Sequence, residues 1–359
     1  MSDTITKFTY QTFQKSKAGF ALAHKQISTY LENFIYPNLG LKTKPLSAKV
    51  IQKIQQRMDE IIEKDLTDSE KGIYPTNIIF DNPWSDFFSF YLNIWLELPQ
   101  VWQRVQQKKY QYFSPQINLQ GYPNYYLQNF HHQTDGYLSE MSANLYDLQV
   151  EILFNGTADA MRRRILAPLK MGLEKLFFGQ NLDAIAPQKL RVLDIACGTG
   201  RTLKFIRATL QKASIYGIDF SLAYLKKANK LLSEDLGELP YLLQANAENL
   251  PFRENYFQGI TCVFTFLELP PMVRQKVLEE AFRVIQPGGV FIICDSIQVC
   301  DEPDFASMLE NFSARFHEPY YKNYITDNLE ERLKKAGFVN ITTEVHFVSK
   351  YWISYKPNI

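Results

Sequence analysis

With 359 residues, 46% of them hydrophobic, the chain carries apolar mass for one large domain or two ordinary ones and does not have the composition of a disordered polymer. Its 39 basic and 38 acidic residues leave a net charge of +1, which supplies no general field for nucleic acid or an anionic membrane. The opening MSDTITKFTY lacks the basic-then-apolar order of a secretory signal, and no run nears the roughly 20 apolar residues of a membrane span, so a soluble, cytoplasmic protein is expected.

Residues 1–185 carry helical apolar spacing and little strand signal. SAKVIQKIQQRMDEIIEKDL (47–66) is amphipathic at helical period. Residues 80–130 hold 15 of the chain's 51 aromatic residues, among them Trp84, Trp95 and Trp102. Such density suits a helical core that needs bulky filler, or the lining of a pocket for an apolar or aromatic substrate; a cap over a ligand crevice has two faces and serves both. NFHHQTDGYLSEMS (129–142) reads as a polar connector or as a lid, and precedes a helix whose Leu145, Leu148 and Ile152 face a core. MRRRIL (161–166) reads as a solvated helix face, or less plausibly as an anion contact.

Beyond residue 185 strand and helix patterns alternate. KLRVLDIA (189–196), SIYGIDF (214–220), YLLQANA (241–247), QGITCVFTF (258–266) and GVFIICDSI (289–297) are the strands. Helices lie between them, and PPMVRQKVLEEAFRVI (270–285) starts on prolines, which suit a first helical turn. DNLEERLKKAGF (327–338) is a helix with Asp327 and Glu330 at capping-box spacing, and the last residues form a strand pair. Of the four cysteines, Cys197, Cys262 and Cys294 sit in or beside apolar strands as small buried hydrophobes; no CxxC pair suggests a metal. Strands apolar throughout are buried on both faces, so residues 186–359 are expected to form a doubly wound α/β domain, with residues 1–185 as a helical cap that shapes a substrate site.

The stretch RVLDIACGTGR (191–201) runs from a strand through a glycine turn into a helix. Exposed amides at a positive helix end suit a pyrophosphate or a carboxylate equally. The glycines, Gly198 and Gly200, do not continue into the dinucleotide pattern G-x-G-x-x-G, and Asp194 would repel a diphosphate. An ammonium would be drawn to it, and Asp219, at the end of the second strand, can accept both hydroxyls of a ribose. A ligand with an amino acid beside a ribose is therefore expected, and S-adenosylmethionine has both.

VLDIACGTGR, GIDFS, ANAENLPF and RVIQPGGVF, in that order, resemble the class I S-adenosylmethionine-dependent methyltransferases across residues 189–350. The resemblance implies a seven-stranded, mostly parallel sheet, with SKYWISYK supplying the antiparallel strand. It implies that Asp194 with Ala196, Gly198 and Gly200 holds the methionine end, that Asp219 binds the ribose, and that Phe220 flanks the adenine. Asn246 and Ala247 fall where the family reads the adenine edge; the family usually has Asp at the first of these, but the Asn246 oxygen can still accept from an adenine amino group. Phe264 falls near the adenine or the acceptor.

The acceptor is expected to be a small, partly apolar or aromatic metabolite methylated at O, N or C, with no metal. A macromolecule methylase, or a cofactor-binding protein without turnover, are the alternatives; no nucleic-acid partner is favoured, and nothing fixes the oligomeric state. The sulfonium is already activated, so a base is needed only where the acceptor must lose a proton. Three stretches can reach the acceptor: residues 129–142, with Tyr137 on the cofactor; FTFLELPP (264–271), where Glu268 reads as a solvated loop acid; and FHEPYYKNY (316–324). His132, His317 and Tyr137 are the catalytic candidates, a histidine being the natural base near neutral pH.

Overall fold

The computed structural model describes residues 2–36, 39 and 44–358. The front of the chain is helical: α1 (Ser2–Ile35), α2 (Ala48–Glu70), α3 (Trp84–Gln107), α4 (Glu140–Leu153), α5 (Ala158–Arg163) and α6 (Leu166–Leu176). Strand and helix then alternate as β1 (Arg191–Ile195), α7 (Arg201–Thr209), β2 (Ser214–Asp219), α8 (Leu222–Leu232), β3 (Tyr241–Gln244), β4 (Phe257–Val263), α9 (Pro271–Val284) and β5 (Ile285–Ser296). The end of the chain is α10 (Ala306–Arg315), α11 (Tyr321–Tyr324), α12 (Leu329–Ala336), β6 (Val339–His346) and β7 (Ser349–Tyr355). No helix among the described residues is long and apolar enough to cross a membrane.

The seven strands form one sheet in the order β3-β2-β1-β4-β5-β7-β6. The first five are mutually parallel, and β7 runs antiparallel between β5 and β6. All of β4 is buried, including its polar Gln258 and Thr261, whereas the edge strands β3 and β6 keep exposed, more polar faces. Successive residues serve opposite faces: Val192 packs with Leu169, Leu173 and Leu203 on one side, while Leu193 and Ile195 pack with Val277 and Leu278 on the other. Strand order reverses between β1 and β4, and that reversal opens a crevice beyond their carboxyl ends.

Three details depart from expectation. The stretch Pro287-Gly288-Gly289 lies inside β5 as a bulge, where the register against β4 shifts. The cap of α12 is Asn328, whose side chain accepts from the Glu331 N–H; Asp327 instead receives Arg274 and Arg332. Residues 316–324, expected to reach the acceptor, contain the short helix α11, whose Tyr321 and Tyr324 are buried.

MRRRIL is not a solvated face. Arg162, Arg163 and Arg164 are all buried, and each meets its own carboxylate: Asp159, Asp65 and Asp68. Asp65 accepts from Arg163 Nε and Nη2 at 2.9 and 2.7 Å and from the Tyr74 hydroxyl at 2.8 Å; Tyr10 donates to it as well. This one carboxylate ties α1, α2 and α5 together. Its removal would strand a buried guanidinium, which costs about 3–5 kcal/mol. Asp65→Ala is accordingly expected to lower the urea midpoint far more than a surface Asp→Ala change; equal midpoints would show that the network carries no stability.

Candidate active site

After β1 the chain turns through Ala196, Gly198 and Gly200, with φ of +56°, +55° and +85°. The two glycines adopt this left-handed geometry freely, and Ala196 does so at a cost. Each glycine has a different reason. A Cβ on Gly200 would lie 3.0 Å from the Cβ of Ala228, so its absence lets α7 approach α8. Gly198 has open space, and its N–H donates to Asp219 Oδ2 at 2.9 Å. The Gly200 N–H donates to the Cys197 carbonyl. Both amides are therefore engaged within the protein rather than left for an anion.

Asp219 ends β2, and its other oxygen accepts from the Ser221 N–H at 2.7 Å. Burial pushes its carboxyl up to about 6, against the pull of those backbone donors. Asp194 lies deeper, where it accepts from Thr261 Oγ1 at 2.6 Å; burial pushes it up to about 7. Asp147 on α4 accepts from Thr199 Oγ1 at 2.7 Å and is raised by burial to about 6. Asp295, raised by burial to about 7, accepts from the N–H groups of Thr265, Phe266 and Leu267 and so shapes the loop after β4.

A cavity opens at these strand ends. Ala196, Gly198, Asp219, Phe220, Asn246, Ala247, Phe264 and Tyr137 all line it. Asp194 and Gly200 do not: the first is buried beneath the turn, and the second packs against Ala228 of α8. Asn246 Oδ1 accepts from the Glu248 N–H at 2.9 Å, which fixes the amide's orientation. Among the described residues the only charged side chains on the lining are Asp219 and Glu268. A diphosphate would face two acids there, whereas a sulfonium with an ammonium group would be welcome. The donor set thus fits S-adenosylmethionine and opposes a dinucleotide.

The segment before α4 lies across the crevice. Tyr125 donates to Glu248 at 2.7 Å, the rings of Tyr122 and Tyr126 stand 4.9 and 5.2 Å from Phe220, and Ser221 Oγ donates to the Tyr137 carbonyl. Tyr137 donates to Glu268 at 2.5 Å, so Glu268 is a half-buried group of the site and not a solvated loop acid.

The histidine that reaches the site is His131. Its Nε2 lies 3.6 Å from Glu268 and its Nδ1 lies 3.2 Å from Glu318. The two expected histidines sit elsewhere. His317 Nε2 donates to Gln128 Oε1 at 2.9 Å and its ring stacks on Tyr110 at 4.3 Å; His132 is buried behind it with Nδ1 unpartnered. Burial holds both near 4, so both are neutral at physiological pH, and neither lines the cavity. The sequence HH gave no sign of which ring would meet Glu268; both residues adopt left-handed backbone, with φ of +54° and +60°. Phe266, Tyr321 and Tyr324 are core residues.

A family model described as a methyltransferase domain matches residues 192–289, which span β1 to the bulge of β5. Residues 192–289 thus lie in a class I S-adenosylmethionine-dependent methyltransferase domain. This methyltransferase is 27% identical over 230 residues to a demethylmenaquinone methyltransferase of Lactiplantibacillus plantarum, a match that takes in 58% of the chain and 89% of that protein. It is 32% identical over 154 residues to the ubiquinone/menaquinone biosynthesis C-methyltransferase UbiE of Photorhabdus laumondii, taking in 42% of the chain and 59% of that protein. Among solved structures it is similar to the magnesium protoporphyrin IX methyltransferase of Synechocystis PCC 6803 with bound SAM, at 13% identity, TM-score 0.37, and coverage of 55% and 80% of the two chains.

The buried acids carry a testable cost. A carboxyl whose folded pKa lies near 7, above an unfolded value near 3.8, holds its proton longer in the folded state, so its contribution to stability is lost as pH rises through that interval. Asp194→Asn removes this titration while the other groups stay. Without ligand, wild type should lose at least about 1.4 kcal/mol relative to Asp194→Asn between pH 5 and pH 8, the worth of one pKa unit. Parallel urea stability curves would contradict the assignment.

Proposed function

We propose that the chain transfers a methyl group from S-adenosylmethionine to a small, planar aromatic acceptor. The observation that carries this reading is a cavity whose charged lining is purely acidic and whose remaining walls are largely aromatic, from Tyr126, Phe130, Tyr137, Phe220 and Phe264. The acids suit a cationic donor; the rings suit an apolar acceptor ring held by stacking. The names of the relatives, which act in demethylmenaquinone and ubiquinone/menaquinone chemistry, support an acceptor of quinone-like size.

In this reading Asp219 holds the ribose hydroxyls, Phe220 flanks the adenine, and Asn246 with Ala247 meets the adenine edge. Ala196 and Gly198 give the methionine end a close approach, and Asp194 adds charge from beneath. Residues 186–359 carry the donor, and residues 1–185 cover it and shape the acceptor site. The donor supplies a methyl group on an activated sulfur. The protein orients the acceptor, and the tyrosines of residues 122–137 exclude water.

Labelled methyl donor incubated with the protein and a metabolite extract should place label in a small aromatic product by mass spectrometry. Label found only in RNA or protein would refute the reading. Asp219→Ala should weaken S-adenosylmethionine binding at least about 10-fold in calorimetry, the scale of one or two lost hydrogen bonds to a charged group, with the circular dichroism spectrum unchanged. Unaltered affinity would remove Asp219 from the ribose site.

A further inference from the structure

We propose that Glu268, His131 and Glu318 form a relay that removes a proton from the acceptor, which makes the acceptor a hydroxylated aromatic ring. This rests on the methyl-transfer reading above. Glu268 lines the cavity; the other two lead away from it. His131 presents different ring nitrogens to the two carboxylates, Nε2 at 3.6 Å from Glu268 and Nδ1 at 3.2 Å from Glu318. That is the arrangement of an imidazole between a proton donor and an orienting acid. Distances of this size are ordinary for catalytic contacts before substrate binds.

The end of the relay is unusual. The Glu318 side chain has no solvent exposure, and neither of its oxygens has a hydrogen-bond partner of good geometry. A buried carboxylate left so is costly unless a charge beside it compensates, and the His131 ring is the group within reach. Burial pushes Glu318 up to about 8; burial pulls His131 down, but the two carboxylates outweigh it and His131 ends above its ordinary value. The two shifts describe one proton that the pair retains past neutrality. The other ionisable groups around the pair are Tyr137 on Glu268, Asp295 and Asp219 at the strand ends, and the neutral His132 and His317; Phe312 and Phe316 close the apolar side of the ring.

The balance is simple. The acceptor's O–H bond breaks and its proton goes to the Glu268 carboxylate. The electron pair released activates the ring oxygen, or the carbon conjugated with it, to form the new bond to CH3; in the second case the C–H bond at that carbon then breaks and its proton returns to the ring oxygen. The bond between methyl and sulfur breaks with its pair kept on sulfur, and the positive charge lost there reappears as the proton passed to His131, which accepts it in the form of the pair that has first given up its retained proton on the ascending limb of the pH profile. A pyridine-type nitrogen or a thioether has no proton to give and would need no such relay; an amine can shed its proton to water after transfer.

Two independent measurements test this. First, 15N-imidazole NMR on the whole protein, which has only five histidines, should show one ring protonated above pH 6.5. E318Q and E268Q should each lower that value, and H131N, which an Asn tolerates at positive φ, should abolish the signal. Second, labelled methyl transfer should be measured with 1,4-naphthohydroquinone and with quinoline as acceptors. Wild type should methylate the hydroquinone. E268Q should lose about 100-fold in kcat, the low end for general-base removal, measured at saturating S-adenosylmethionine. E318Q should move the ascending limb of kcat against pH to lower pH. Full activity of E268Q, transfer to quinoline in preference to the hydroquinone, or a rate abolished by EDTA and restored by Mg2+ would each overturn the relay. In the last case the three residues would be ligands, since they also lie close enough for that. Failure of wild type to bind S-adenosylmethionine would instead sink the methyl-transfer reading.

Discussion

Buried negative charge at the carboxyl ends of the central strands organises this molecule. Asp194, Asp219 and Asp295 stand at or next to the ends of β1, β2 and β5, Asp147 of α4 meets Thr199 of the first turn, and burial raises each of them. Arg162 and Arg201 are the nearby cations, and both are already bonded to Asp159. The cluster is thus short of positive charge until a cation arrives. A protein does not retain several such carboxylates for stability, because desolvation costs more than their hydrogen bonds return. The cost is understandable where a sulfonium and an ammonium are to be bound, and it is the physical reason that a glycine turn of this kind rejects a diphosphate.

The same acids also set geometry. Asp295 gathers three successive N–H groups of residues 265–267 and so fixes the exit of β4, with Phe264 at φ +55° on one side and Glu268 on the other. Asp219 bonds the N–H groups of Gly198 and Ser221 and joins the first turn to the start of α8. Ala196 and Phe264, two non-glycine residues in left-handed conformations, flank the cavity; that strain is held in place by the surrounding bonds, as is common where a ligand must approach backbone closely.

Much of the sheet was legible in the sequence because its strands are apolar on both faces and its turns are punctuated by glycine and proline. Val192 to Ile195 and Phe257 to Val263 could hardly be anything but central strands. The cofactor side of the site was legible for the same reason: Ala196, Asp219, Phe220 and Phe264 sit at strand ends, and position along the strand fixes position in space. The helical front was not. Local pattern cannot reveal that Asp65, 98 residues before Arg163, would neutralise it, so MRRRIL looked like a wet surface. Nor does the pair His131-His132 say which ring meets Glu268, since that contact joins distant parts of the chain. Glu268 looked like a loop acid because its partners, Tyr137 and His131, are more than 130 residues away in the chain.

These failures share a cause that bears on how the protein works. The strand-end residues belong to the sheet and keep their places whatever covers them. The groups that would do acceptor chemistry come from two separated segments, around residue 131 and around residue 318, and meet only over the crevice: the His131 N–H bonds the His317 carbonyl at 3.3 Å, and Tyr320 reaches the Tyr125 carbonyl. Donor binding can therefore be encoded in contiguous motifs, while acceptor choice is encoded in long-range contacts. Changes in the covering segments can alter what is methylated without disturbing the strand ends, which is why the motifs identify the donor and leave the acceptor to the geometry of Tyr137, Glu268 and His131.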